Sequence, residues 1–212
     1  PPGYQIAFTG QNEEQQEAQA FLAKAFILGL FLIALVLITQ FNSVLQPLII
    51  MSSVVLSLAG VFLGLYLFEM PFSVIMTGVG CISLAGVVVN NAIVLIDFIN
   101  QLRAGGMPAD EAIVEGGITR FRPVMLTAIT TILGLIPMAA GVSFDFREFR
   151  WLVGSESSQW WGSMAIAVIF GLAFATLLVL VVVPILYSLT VSLKAVFRPG
   201  EDGGTDSATA GA

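Results

Sequence analysis

Histidine is absent from this 212-residue chain, and cysteine occurs once, at Cys81. A structural or catalytic zinc site needs three or four His, Cys or carboxylate ligands, so no metal site is expected. Without histidine there is no serine–histidine dyad and no HExxH site, and one cysteine cannot form a disulfide within the chain. Charge is scarce as well. Charged residues make up 10% of the sequence, whereas a soluble domain carries about 25%. Six of the fourteen acids lie near the ends, at Glu13, Glu14, Glu17, Glu201, Asp202 and Asp206, which leaves the body of the chain neutral. No basic face is available for nucleic acid. An aspartyl protease dyad needs two carboxylates in the apolar stretches, and Asp97 is the only one there. Neither an enzyme nor a cofactor protein is expected.

What the chain has is apolar surface: 57% of residues are hydrophobic and mean hydropathy is +0.95. No charge occurs between Lys24 and Glu69, Glu69 and Asp97, Arg122 and Asp145, or Glu156 and Lys194. Crossing the hydrocarbon layer takes about 20 apolar residues in a helix. The first run is too long for one span and breaks at Gln40-Phe41-Asn42-Ser43, with Pro47 opening the next helix. The expectation is an all-α membrane protein with five spans at 19–40, 46–68, 72–102, 122–141 and 160–192. The Gly105-Gly106-Met107-Pro108-Ala109-Asp110-Glu111 stretch predicts a helix stop, then a short amphipathic cytoplasmic helix ending near Gly116.

Arg103, Arg120, Arg122, Lys194 and Arg198 fall on one side of these spans; Lys24, Arg147 and Arg150 fall on the other. The positive-inside rule makes the first side cytoplasmic, with the N-terminus outside and the C-terminus inside. Trp151, Trp160 and Trp161 precede the fifth helix, at the level of an aromatic interface belt. Residues 1–18 read as the end of an external domain, with Tyr4–Thr9 alternating like a strand. Residues 193–212 read as a disordered tail. The sequence opens Pro-Pro-Gly without an initiator Met or a signal peptide, so it reads as a piece of something longer.

The polar groups inside the spans are the candidates for function. Asn90 and Asn91 lie in mid-span, and amides there need partners on other helices. Asp97 follows Asn90 by seven residues, two helical turns, and so shares its face. On the fourth helix Arg120, Thr127 and Thr131 share a face in the same way. Two readings stand. The asparagines are interhelical glue and the hydroxyls bond back to their own backbone, or the set lines an ion or proton path. Gly60 and Gly64 fit the small-xxx-small packing pattern.

The order of these pieces resembles the C-terminal half of a resistance–nodulation–division (RND) efflux permease of the AcrB/AcrD/AcrF type. The matching segments are Gly3-Tyr4 with Thr9-Gly10, Gln40-Phe41-Asn42-Ser43, Gly86 through Phe98, and Arg120-Phe121-Arg122-Pro123-Val124-Met125-Leu126-Thr127. Leu133-Gly134-Leu135-Ile136-Pro137 and Val183-Pro184 complete the series. The resemblance implies the last five of twelve helices in a bacterial inner-membrane pump. It further implies a missing N-terminal half, a homotrimer, and a periplasmic adaptor and outer-membrane channel as partners. Members export drugs, lipophilic compounds or metal ions against an inflow of protons. In the drug pumps, paired aspartates of the first half face a lysine, an arginine and a threonine. The resemblance places these at Asn90, Arg120 and Thr127, with Asn91 beside the first. Asn90 departs from the pattern, because an amide cannot carry the lysine's charge. A lipid- or protein-export member of the superfamily, or a non-transporting scaffold, is the alternative reading.

Overall fold

The computed structural model describes residues 11–145, 150–154 and 156–197. Five helices, α1 (Gln11–Phe41), α2 (Leu45–Leu67), α3 (Val74–Ala104), α4 (Ala109–Ala139) and α5 (Glu156–Phe197), dominate it. All five contain a stretch long and apolar enough to cross a membrane. At 1.5 Å per residue the 31-residue α3 and α4 are about 46 Å long. That exceeds the roughly 30 Å hydrocarbon layer, so both extend into the headgroup regions.

The helix breaks lie where local chemistry puts them. Asn42 takes the left-handed conformation at φ 45° between α1 and α2, which asparagine tolerates better than most residues. Pro47 sits in the first turn of α2, where its missing N–H would have no intrahelical partner anyway. After α3 the chain turns at Gly105 and Gly106, the latter at φ +91°, with the Gly106 and Met107 amides donating to Arg103 and Leu102 carbonyls. Pro108 then opens α4.

One difference from the sequence expectation has a physical cause in the contact of α4 with α3. The short helix expected to end near Gly116 is present, but it continues into the fourth span as one helix. Gly116 and Gly117 do not stop it, because Gly116 is the contact point with α3: a Cβ there would lie 2.6 Å from Ile99 Cγ1. Pro123 is carried inside the helix rather than at its start, as is Pro137. The all-α expectation holds for the five spans, and one short hairpin joins the last two. Val142–Asp145 (β1) pairs antiparallel with Arg150–Val153 (β2), Val142 opposite Val153 and Asp145 opposite Arg150. The Gly154 amide closes this hairpin on the Gly141 carbonyl at 3.0 Å, with both glycines at positive φ. The first helix starts at Gln11 and α5 runs to Phe197, so residues 11–18 and 193–197 are helical. The expected Tyr4–Thr9 strand and the rest of the expected tail lie outside the described residues.

The core is a three-helix unit of α2, α3 and α5, to which α1 adds Leu37 and α4 adds Ala112, Ile113 and Ala128. Its tightest seam is between α2 and α5. A Cβ on Gly60 would meet Phe174 Cβ at 2.5 Å and the Phe170 carbonyl oxygen at 2.8 Å, and one on Gly64 would meet Phe170 Cβ at 2.5 Å. The two phenylalanines occupy the space that the glycines leave, which is how helices approach closely in lipid. Near this end Tyr66, Phe68, Phe72, Trp160 and Trp161 are all exposed, and Phe68 meets Phe170 edge-on at 5.5 Å. These residues form the belt for which the sequence offered only tryptophans. Trp151 lies in β2.

Candidate functional site

Along α3, Ser83, Gly86 and Asn90 are exposed and Asp97 is half-buried. Their spacings of three, four and seven residues keep them within one narrow stripe at 100° per residue. Asn91, one residue on from Asn90, turns inward and is 6% exposed. Both asparagines were expected to face other helices rather than lipid; within this chain Asn91 enters the bundle and Asn90 points out of it. Asp97 accepts a hydrogen bond from the Gln101 side-chain amide at 2.7 Å, one turn further along the same helix.

The polar stripe of α4 runs beside it. Arg120 lays its guanidinium over the Phe98 ring of α3, 4.4 Å from the centroid. Its Nε is buried without a hydrogen-bond partner among the described residues. A cation held on a ring face in this way gains a modest attraction, while its Nε donor stays unpaired among the described residues. Thr127 is exposed and donates to the Val124 carbonyl at 2.9 Å, while Thr131 donates to the Thr127 carbonyl at 2.8 Å. Thr130, which the sequence reading left aside as a site, is exposed and bonds back to Leu126 in the same manner. Within this chain the threonine hydroxyls therefore bond to their own helix, as the plainer reading expected. Arg120 and Phe98 tie the α3 and α4 stripes together at one end. Asn90 and Thr127 share no hydrogen bond among the described residues.

The strongest polar cluster is one the sequence did not disclose. The Gln46 amide donates to Asn100 Oδ1 at 3.1 Å, and the Asn100 amide returns a bond to Gln46 Oε1 at 3.2 Å. Tyr187 donates its hydroxyl proton to the same Asn100 Oδ1 at 2.7 Å and accepts from Arg103 Nη1 at 3.1 Å. Tyr187 is 1% exposed. A tyrosine buried in the apolar run of α5 was the available signal, since a buried phenol needs a partner. Which partner could not be read, because the pairs lie 54 and 87 residues apart.

No group of three or more His, Cys, Asp or Glu that could hold a metal ion occurs among the described residues. The stripes offer amides, hydroxyls, one carboxylate and one cation. That set can order water and stabilise a charge contributed by another segment. Asp97 is the one carboxylate on the two stripes.

The profile of the AcrB/AcrD/AcrF family matches residues 1–191. The chain is 34% identical over 189 residues to the cobalt-zinc-cadmium resistance protein CzcA of Cupriavidus metallidurans, covering 89% of this chain and 17% of that protein. It is 35% identical to the multidrug resistance protein MdtC of Erwinia tasmaniensis, covering 82% of this chain and 16% of that one. A crystal structure of a heavy metal efflux pump superposes with a TM-score of 0.73 at 36% identity, covering 91% of this chain and 18% of the pump. The chain thus spans less than a fifth of the length of these relatives. On the sequence match and the five-helix superposition together, it belongs to the AcrB/AcrD/AcrF family of RND permeases.

Proposed function

We propose that this chain is the C-terminal membrane portion of a proton-driven RND efflux permease of the bacterial inner membrane, exporting drugs, lipophilic compounds or metal ions. The observation that carries the reading is the pair of polar stripes left uncovered in an otherwise apolar bundle. Ser83, Asn90, Thr127 and Thr130 are exposed in mid-span, and polar groups at that depth face protein or a water-filled path rather than lipid. The Arg120 Nε without a partner supports the same reading, since a further segment bearing carboxylates would satisfy it.

In this reading the missing half supplies the proton-binding carboxylates, and Asn90, Asn91, Asp97, Arg120, Thr127 and Thr131 complete the path. The ends carrying Arg103 and Arg120 face the cytoplasm. Homotrimer, periplasmic adaptor and outer-membrane channel are the partners the family likeness suggests. Named relatives include both metal-resistance and multidrug-resistance proteins, so ethidium and Co2+ are both apt probes.

Thr127→Ala in the full-length permease tests the path. Among the described residues its hydroxyl bonds only to its own helix, so the fold does not depend on it. Export should drop about tenfold or more at unchanged protein level, the signature of a lost functional interaction rather than lost folding. Export at the parent rate would remove Thr127 from the path.

A further inference from the structure

The Gln46–Asn100–Tyr187–Arg103 chain lies off the stripes and has no part in the path just proposed. On that reading of the stripes, we infer that Gln46, Asn100 and Tyr187 are positioning residues. They fix the height and rotation of α3, and with it the Asn90–Asp97 stripe, so that α2, α3 and α5 travel as one body at this end through the transport cycle.

Three helices meet on one oxygen. Asn100 Oδ1 accepts from Gln46 of α2 and from Tyr187 of α5, filling both its lone pairs. The Asn100 amide answers to Gln46, and the Tyr187 hydroxyl, having donated its proton, takes the Arg103 bond on its own lone pair. Every bond is directional, whereas the surrounding contacts of Ile96, Ile99 and Leu95, each 0% exposed, are apolar and permit sliding. Turning α3 by one residue, about 100°, would break the two amide bonds and the tyrosine bond together. The Tyr187 hydroxyl, on a side chain 1% exposed, would then be left without its acceptor. Asn100 is three residues from Asp97 on the same unbroken helix, so what holds Asn100 holds the stripe. No α4 side chain enters the cluster among the described residues, which leaves α4 free of this restraint.

The test uses the full-length permease with Cys81→Ala as background. Gln46→Cys and Asn100→Cys together remove the amide pair and allow a short bifunctional methanethiosulfonate to bridge α2 to α3 through two reducible disulfides. Unbridged, the double variant should lose export several-fold, and bridging should restore it to within about twofold of the background protein. At one neutral pH the bridge should form in equal yield with and without a proton gradient. Bridging that blocks export, with recovery on reduction, would overturn the inference, since the two helices would then have to part there.

Tyr187→Phe keeps the ring and removes both bonds. The maximal export rate should fall several-fold at unchanged half-saturating ethidium or Co2+ concentration and unchanged protein level. Parent-like rates in this variant would overturn the inference as well. Should the background protein itself move neither probe with a proton gradient, the proposed function fails. The bridging yield at neutral pH then decides the inference alone: equal with and without a proton gradient supports it, and unequal overturns it.

Discussion

Half of the most apolar stretch of α2, α3 and α5 is buried within the chain, against 6% for α1 and 11% for α4. The two poorly buried helices are exposed in different ways. Outward on α1 are Phe21, Ile27, Leu28, Phe31, Leu35 and Val36, with no polar group among them after Lys24 until Thr39. Outward on α4 are Thr127, Thr130 and Gly134 as well as Leu126, Ile129 and Leu133. The α1 surface suits lipid, which asks only that side chains be apolar. The α4 surface, with the neighbouring α3 stripe, suits protein or water. Hydropathy alone classes both as spans, and only the distribution of polar groups around the helix separates them.

The largest effect is expected where the chain is already complete. Gly60→Val drives branched carbons into Phe174 and the Phe170 carbonyl, where even a Cβ lies within 2.8 Å. Overpacking of this kind costs about 1–3 kcal/mol or more, and the heat stability of the purified permease in detergent should drop accordingly. Gly29→Val on α1, where no atom lies within 4 Å of the added carbon, should leave it unchanged. Equal losses in the two variants would break the contrast between core seam and lipid face.

Asn90→Lys sharpens it next. Facing carboxylates of a missing half, the ammonium is tolerated and shifts the pH dependence of export. Against lipid or apolar side chains an unpaired charge at a helix centre costs about 2.5–3.5 kcal/mol, and the protein level in membranes should collapse. That collapse would withdraw Asn90 from the path. The smallest effect on the chain's own packing is expected for Gly134→Leu, which meets nothing within 4 Å. If the α4 stripe is covered by protein, export should nonetheless fall about tenfold while Gly29→Leu is silent. Silence from both would assign the α4 face to lipid.

Much of the architecture was readable before any coordinate. The charge-free runs gave five spans, because in a membrane the penalty on charge is large enough to dominate other local signals. Continuity of α4 was not readable: Gly116, Gly117 and Pro123 are local breakers, and only the contact with Ile99 shows why the glycine is required inside a helix. The β1–β2 hairpin lay between two glycines that read simply as loop. For the candidate site, a 100° step per residue implied that Asn90 and Asn91 point apart, but which one enters the bundle depends on packing with distant helices. The Asn100 cluster joins residues from three separated segments, and no local period announces such a meeting.

The α2–α5 seam also has a consequence in time. Gly60 and Gly64 form a slot whose filling, Phe170 and Phe174, is encoded more than a hundred residues later. At about 5–20 residues per second the ribosome needs roughly 5 to 20 seconds to reach it. Throughout that interval α2 stands in the bilayer with its notch facing lipid tails, and the core of this chain cannot close until the last helix is delivered. Assembly therefore waits on its final span, and a message cut short before α5 yields helices that insert but have nothing to fold around.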